Sequence, residues 1–390
     1  MQFPYCILGV FLALPLFPQT FPSPKVDFYH WDGAYHASIS EGVEAIAAVG
    51  GHVARLAVSA RMDVDYGMGS SCIPGFTLVG AVQEPDMKKA LDHPAIDVFI
   101  LTAYDGVTFG DCVTLRFLNP SFYTPSNEAA IVQEYSDLTL YLYQIYQHSN
   151  KQFIISNWES DNQVYCSDAV LYSTNHSYRA LCDGVYPQLY GNATPADSFR
   201  GLRLWFEARQ KGIEDGRARA SAMGIVDRNR RVYFAPEVNV CRHLRYGGLK
   251  SALYDVVPFI KFDYVSYSSY ESLGLSDPRN DLLEDLGTIQ SVIGSSNIII
   301  GEMMTASPGA DPGASIQTLS EVMDAALSWG VAYIIYWSVY GPDDCAACGL
   351  YDASGRITPT GEFFEDYFSG LDPPVPRTRP RHSRARRTRP

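Results

Sequence analysis

Charge is absent from the start of this chain: no Asp, Glu, Lys or Arg occurs before Lys25. The apolar run Cys6 to Leu16 inside that stretch is too short to cross a bilayer. Residues 1–24 therefore resemble a secretory signal peptide, although they have no basic first region and are interrupted by Pro4, Pro15, Pro18 and Pro22. Cleavage is expected near Thr20 to Ser23, and no later segment has the uninterrupted apolar length of a membrane span. A soluble secreted product is the expectation.

Other absences narrow the chemistry. No glycine-rich phosphate loop follows the first strand-like run, where Trp31-Asp32-Gly33 stands instead, so a doubly wound nucleotide-binding sheet has no support. No G-x-S-x-G elbow marks a serine hydrolase. His30 and His36 are read as satisfying local hydrogen bonds, and no His/Asp/Glu cluster has metal-ligand spacing. Cys345-Ala346-Ala347-Cys348 has no second CxxC to complete a zinc site. Neither a metal nor a cofactor is expected.

Basic residues are scarce as well. There are 30 Lys and Arg against 43 Asp and Glu, a net charge of -13, and an acidic body argues against nucleic acid as the main partner. Seven of the arginines lie in the last stretch, Arg377 to Pro390, so residues 371–390 read as a disordered, Pro- and Arg-rich basic tail. The eight cysteines agree with export. Cys72 and Cys112, Cys166 and Cys182, and Cys345 and Cys348 sit in loops as candidates for disulfides, with Cys241 as the odd thiol. Asn175-His176-Ser177 and Asn192-Ala193-Thr194 are glycosylation sequons, the second weakened by Pro195.

What the chain does contain is alternation. Eight apolar strand-like runs cover Val26–Trp31, His52–Ser59, Ile96–Tyr104, Gln152–Glu159, Val232–Val238, Phe262–Ser268, Asn297–Glu302 and Val331–Trp337. Several are almost continuously hydrophobic, as parallel strands covered on both faces require. Helix-period segments lie between them: Ile39–Val49, Gln83–Leu91, Asn127–Gln147 with Ser126 as N-cap, Ser198–Lys211, Leu249–Val257, Leu282–Ile293 and Ile316–Trp329, with Gly361–Phe368 last. Eight such units without a linker predict a single α/β domain, a (β/α)8 TIM barrel over residues 25–370.

In such a barrel the C-terminal strand ends build the site. This chain places polar and aromatic residues there: Trp31 and Asp32, Arg61, Tyr104 and Asp105, Asn157, Glu237, Tyr267, Tyr270 and Glu271, and Trp337. A barrel serving only as a scaffold has little need for this crown. Glu159 and Glu302 stand out, because each closes an apolar run where a carboxylate is costly to bury. Two such carboxylates from distant strand ends suit an acid/base and nucleophile pair, which points to glycoside hydrolysis. The aromatics, 13% of the chain, suit the stacking of sugar faces.

With those residues in place, the chain resembles the retaining glycoside hydrolases of clan A across residues 25–368. The resemblance implies that Glu159, at the end of strand four, is the acid/base and Glu302, at the end of strand seven, the nucleophile. It implies an arginine on or after strand two (Arg55 or Arg61), a tyrosine supporting the nucleophile (Tyr267) and a tryptophan closing strand eight (Trp337). It departs from the family at one point: Trp158 separates Asn157 from Glu159, where the family has Asn directly before the acid/base. Alternation along the strand still places Asn157 and Glu159 on one face.

The implied substrate is a carbohydrate, bound by Trp31, Arg61, Asn157, Tyr267 and Trp337, with Glu237 either binding it or supporting the residues that do. A catalytically silent barrel that binds carbohydrate or a protein partner stays open as the alternative, as does a hydrolase using Glu237 with Glu302. Loops around residues 60–80, 105–125 and 160–195 are expected to set sugar and linkage. The oligomeric state is left open.

Overall fold

The computed structural model describes residues 25–31, 37–225, 231–307, 309–342, 345 and 348–370. The expected signal peptide, the basic tail, Asp32 and His36 lie outside the described residues.

The apolar runs become nine parallel strand segments: β1 (Val26–His30), β2 (Val53–Val58), β3 (Val98–Ala103), β4 (Gln152–Ser156), β5 (Val232–Phe234), β6 (Glu237–Val238), β7 (Val265–Ser268), β8 (Ile298–Met303) and β9 (Ile334–Trp337). They pair in the order β5-β4-β3-β2-β1-β9-β8-β7-β6. β5 and β6 are the two halves of one barrel strand, parted at Ala235-Pro236, where proline supplies no N–H to a ladder. The first half pairs with β4 and the second with β7. The N–H groups of Asp263 and Tyr264 donate to the Phe234 carbonyl at 2.9 and 3.2 Å, and that of Ser266 to Pro236 at 2.9 Å. These bonds close the ring, so the eight predicted strands form a (β/α)8 barrel.

Alternation sorts the side chains into two cores. Tyr29, Val53, Ile100, Ile154, Ile299 and Ile335 point inward and fill the lumen. Their neighbours Phe28, Leu56, Leu101, Ile155 and Ile300 point outward and pack against the helices. Burying both faces is what made the strands read as continuous apolar runs.

Five helices begin with the same pair, a Thr or Asp cap followed by proline: Thr124-Pro125, Thr194-Pro195, Asp277-Pro278, Asp311-Pro312 and Thr358-Pro359. Proline at the first helical position loses nothing, since its N–H would have no intrahelical partner. The expected cap Ser126 is therefore replaced by Thr124, and the helix runs Pro125–Tyr146. The largest revision lies between β4 and β5. Residues 160–195, expected as a loop, form helices Ser160–Val164, Ala169–Thr174 and His176–Tyr190, with Asp168 and Asn175 capping the last two. Cys166–Cys182 staples them; Cys72–Cys112 and Cys345–Cys348 are the other disulfides, and Cys241 is free and buried. Among the described residues, no helix is long and apolar enough to cross a membrane.

Candidate active site

Arg55 sits inside the barrel, fully buried, above the apolar lumen. A charge there needs partners on every side, and the guanidinium has them. It grips Glu237 through both carboxylate oxygens at 2.7 and 2.9 Å, and donates to the carbonyls of Gly301 (2.6 Å) and Asn157 (3.1 Å) and to Thr102 Oγ1 (2.9 Å). Its face lies over the Tyr29 ring at 4.5 Å. Gly301 explains how the pair fits: a Cβ at that position would meet Ser266 Oγ at 2.0 Å and Glu237 Oε2 at 2.3 Å.

The two glutamates stand on this platform. Glu302 follows an irregularity of the β8 register with β7 and β9. Ile300 faces the helices and, by strict alternation, Glu302 would follow it; the shift turns its carboxyl toward the mouth. Its Oε1 accepts from Tyr270 hydroxyl at 3.1 Å, and its Oε2, 3.8 Å from Arg55 Nη1, accepts no hydrogen bond. Glu159 lies three residues past β4, at φ +25°, on the residue that opens helix Ser160–Val164. A non-glycine residue in that conformation costs about 1–3 kcal/mol and needs fixing from outside. Its N–H donates to Glu237 Oε1 at 3.1 Å, while its carboxylate accepts from Ser268 hydroxyl at 2.5 Å and from Asn162 Nδ2. Asn162 is one helical turn on, which brings the two side chains together.

Burial first, and then the repulsion of Glu159, pushes the Glu302 carboxyl well above the usual carboxylate range against the pull of Arg55. Burial likewise lifts Glu159 to about 7, opposed by Ser268 and reinforced by Glu237. A cleft with two mutually repelling carboxyls holds one proton readily and two negative charges poorly. Both glutamates line a cleft of about 660 Å³, walled by Trp31, Trp158, Trp337 and Tyr270. The arrangement can donate a proton from one carboxyl while the other carries charge, between aromatic faces.

The expected site residues separate into two groups. Glu159, Glu302, Trp31 and Trp337 share the cleft. The other four lie elsewhere. Tyr267, expected beside Glu302, faces the helices and donates to Asp285 Oδ2 at 2.7 Å; Tyr270, three residues on, is the tyrosine on Glu302. Asn157, expected to face the mouth with Glu159, turns toward β6 because the chain leaves the strand at Ser156, and its Oδ1 accepts from the Glu237 N–H at 3.0 Å. Glu237, expected either to touch substrate or to support the residues that do, takes the supporting place: it is fully buried beneath the cleft and saturated by Arg55, Ser266 and the Glu159 N–H. Arg61 pairs with Asp65 at 2.8 Å and lines a neighbouring chamber.

Ser268 and Asn162 carried no visible signal beyond their place at a strand end and one turn from Glu159. His30 is buried, with Nε2 3.0 Å from the Ser38 carbonyl, in keeping with a local role. Cys241, Glu271 and Asp285 approach one another within 4.8 Å. Their carboxylates are already committed: Glu271 to three backbone N–H groups and His243, Asp285 to Tyr267 and Arg242. Burial pushes the Cys241 thiol up, away from the thiolate a metal would need.

No family model and no curated protein matches the chain. Solved structures of glycoside hydrolases do match in fold. A GH5_18 protein from Streptomyces cattleya, solved with GlcNAc, aligns at a TM-score of 0.55 and 12% identity, over 88% of this chain and 79% of that one. A Bacteroidetes-affiliated GH5 cellulase aligns at 0.51 and 15%, over 90% and 93%. A β-glucosidase from Pyrococcus furiosus aligns at 0.52 and 12%, over 86% and 84%. Against an exo-β-1,4-mannosidase of an Opitutaceae bacterium the TM-score is 0.51 at 10% identity, and 89% of this chain spans 59% of that chain. The chain thus shares a barrel fold with these proteins at sequence identities of 10–15%.

Proposed function

We propose that this protein is a secreted glycoside hydrolase that cleaves O-glycosidic bonds with retention. The observation that carries the reading is the buried pair itself: Glu159 and Glu302 face one aromatic cleft, and the charge of Glu159 raises the affinity of Glu302 for a proton. Three disulfides and the uncharged start of the chain support export.

Glu302 is assigned the nucleophile. Once Glu159 holds the proton its repulsion of Glu302 is gone, and the Arg55 cation, 3.8 Å from Oε2, and the Tyr270 hydroxyl on Oε1 favour the negative charge on Glu302 and leave Oε2 uncommitted for the anomeric carbon. Glu159 is assigned the general acid. The Ser268 hydroxyl can turn to accept its proton, since a hydroxyl both donates and accepts. Glu159 protonates the leaving oxygen as Glu302 forms the glycosyl ester. It then takes a proton from the water that hydrolyses the ester, and both carboxyls return to their starting states.

The test is hydrolysis of a panel of β-linked glycans and aryl glycosides by wild type, Glu302→Gln and Glu159→Gln. The expected result is turnover by wild type and a loss of at least about 10³-fold in kcat for Glu302→Gln. Glu159→Gln should lose about 10²–10⁴-fold on unactivated glycans, and much less on aryl glycosides whose leaving group needs no proton. Unchanged turnover in both variants would remove these roles. Glycan binding without turnover by wild type would favour the silent barrel.

A further inference from the structure

Glu159 is the N-cap of helix Ser160–Val164, and an N-cap side chain ordinarily accepts from the N–H groups of the second and third helical residues. The Glu159 carboxyl makes no such bond, because it is turned to the cleft, to Ser268 and to Asn162 Nδ2. Those two N–H groups are satisfied from another strand. Asn239, one residue past β6, accepts from the Asp161 N–H at 3.0 Å and from the Asn162 N–H at 3.3 Å, both through Oδ1. The exchange is reciprocal. Asp161 Oδ2 accepts from the N–H groups of Asn239 at 3.3 Å and Val240 at 3.4 Å, and its Oδ1 from that of Ala252 at 2.7 Å.

Asp161 is fully buried, and its three hydrogen-bond donors are all backbone N–H groups. Burial lifts its carboxyl to about 6 against their pull. A carboxylate is costly to keep in such a place, and filling space does not explain one. What it fixes is the geometry of the turn. Glu159 sits at φ +25°, a conformation that persists only where its surroundings impose it. Glu237 holds the front of the turn through the Glu159 N–H. Asp161 and Asn239 hold the back, and with it Asn162, whose Nδ2 donates to Glu159 Oε2.

We infer that Asp161 and Asn239 are positioning residues that cap the Glu159 helix from outside, freeing the Glu159 carboxyl from the cap and aiming it at the leaving oxygen. The leaving oxygen rests on the glycosidase reading; the external cap and its hold on the Glu159 carboxyl do not.

One readout needs no turnover. Carbon-13 NMR of protein labelled at the glutamate carboxyls follows the titration of Glu159, assigned by its loss from Glu159→Gln. Asn239→Ala removes the cap without changing any charge, and Asp161→Asn removes it from the other side. In both the turn should relax and admit water, so the Glu159 midpoint should fall by about one pH unit or more toward the ordinary carboxylate range. Asp27→Asn is the matched control. Asp27 is also fully buried and held by backbone N–H groups, those of His52 and Val53 at 2.7 Å, but at the start of β1, the end of the barrel remote from the cleft. It should leave the midpoint in place. The other readout is turnover: Asp161→Asn should lower kcat on unactivated glycans about 10–100-fold with KM nearly unchanged, and far less on aryl glycosides whose leaving group needs no proton. Cooperative thermal unfolding shows which variants are folded, and either one suffices for the NMR titration. A Glu159 midpoint unmoved in the folded variants, one moved equally by Asp27→Asn, or equal losses on the two substrate classes would overturn the inference. Failure of the glycosidase reading would show separately, as no turnover by the wild-type protein while the shift of the Glu159 midpoint persists.

Discussion

Arg55 ties together the groups beneath the cleft: it holds Glu237 at 2.7 Å and the carbonyl of Asn157 at 3.1 Å, and lies 3.8 Å from Glu302. Removing one partner of a buried pair leaves the other charge uncompensated, which costs about 3–5 kcal/mol. Arg55→Leu and Glu237→Leu should each destabilise the protein by about that amount, and the double variant by less than the sum, as read by denaturant unfolding in a double-mutant cycle. Strict additivity would mean that the pair does not hold the platform. The pH profile is set beside it. Glu159, lifted to about 7, must carry its proton to act as acid, so kcat on unactivated glycans should fall as pH rises through about 7. Glu159→Gln should lose that alkaline limb on aryl glycosides while keeping the acidic limb, where Glu302 becomes protonated. Glu159 and Glu302 were legible in the sequence because a carboxylate ending an apolar run has no place in a core. Tyr267 and Asn157 were not, because their directions depend on a register shift in β8 and on where β4 ends.

Elements were legible where one period rules and misjudged where an end signal was missed. All eight barrel strands follow from apolar runs, since covering both faces leaves no polar alternation to interrupt them. Helix starts fell several residues late at Thr124, Thr194, Asp277, Asp311 and Thr358, because the proline after each cap looks like loop when it is the first helical residue. Helix His176–Tyr190 was hidden in the same way, by Pro187 inside it and few apolar positions. At this scale β8 carries the sharpest constraint. A methyl group at Gly301 would fall on Ser266 and Glu237, so Gly301→Ala should cost about 1–3 kcal/mol in denaturant unfolding and displace the β8 end that presents Glu302. Wild-type stability in that variant would contradict the close packing described.

On the scale of the molecule, the barrel gathers residues from strands far apart in sequence into one mouth, which is why site membership could be guessed from strand ends but contacts could not. The proposed secretion bears on the surface as well. Asn175 is exposed at a helix N-cap, whereas Asn192 is buried, its Nδ2 donating to the Leu118 carbonyl at 2.8 Å and to Ser198 Oγ at 3.0 Å. A glycan cannot share that nitrogen's place. Glycopeptide mapping of folded protein secreted from a eukaryotic host should therefore find occupancy at Asn175 and none at Asn192; a glycan at Asn192 would contradict the packing around Leu118.

The central claim is that Glu302 attacks the anomeric carbon, and mass spectrometry can read that bond directly. Incubation with 2-deoxy-2-fluoro-β-glucosyl and -mannosyl fluorides should trap a covalent ester, and peptic mapping should place the added mass on the peptide that contains Glu302. An adduct on Glu159, or turnover of these glycans with inverted products and no adduct at all, would contradict it.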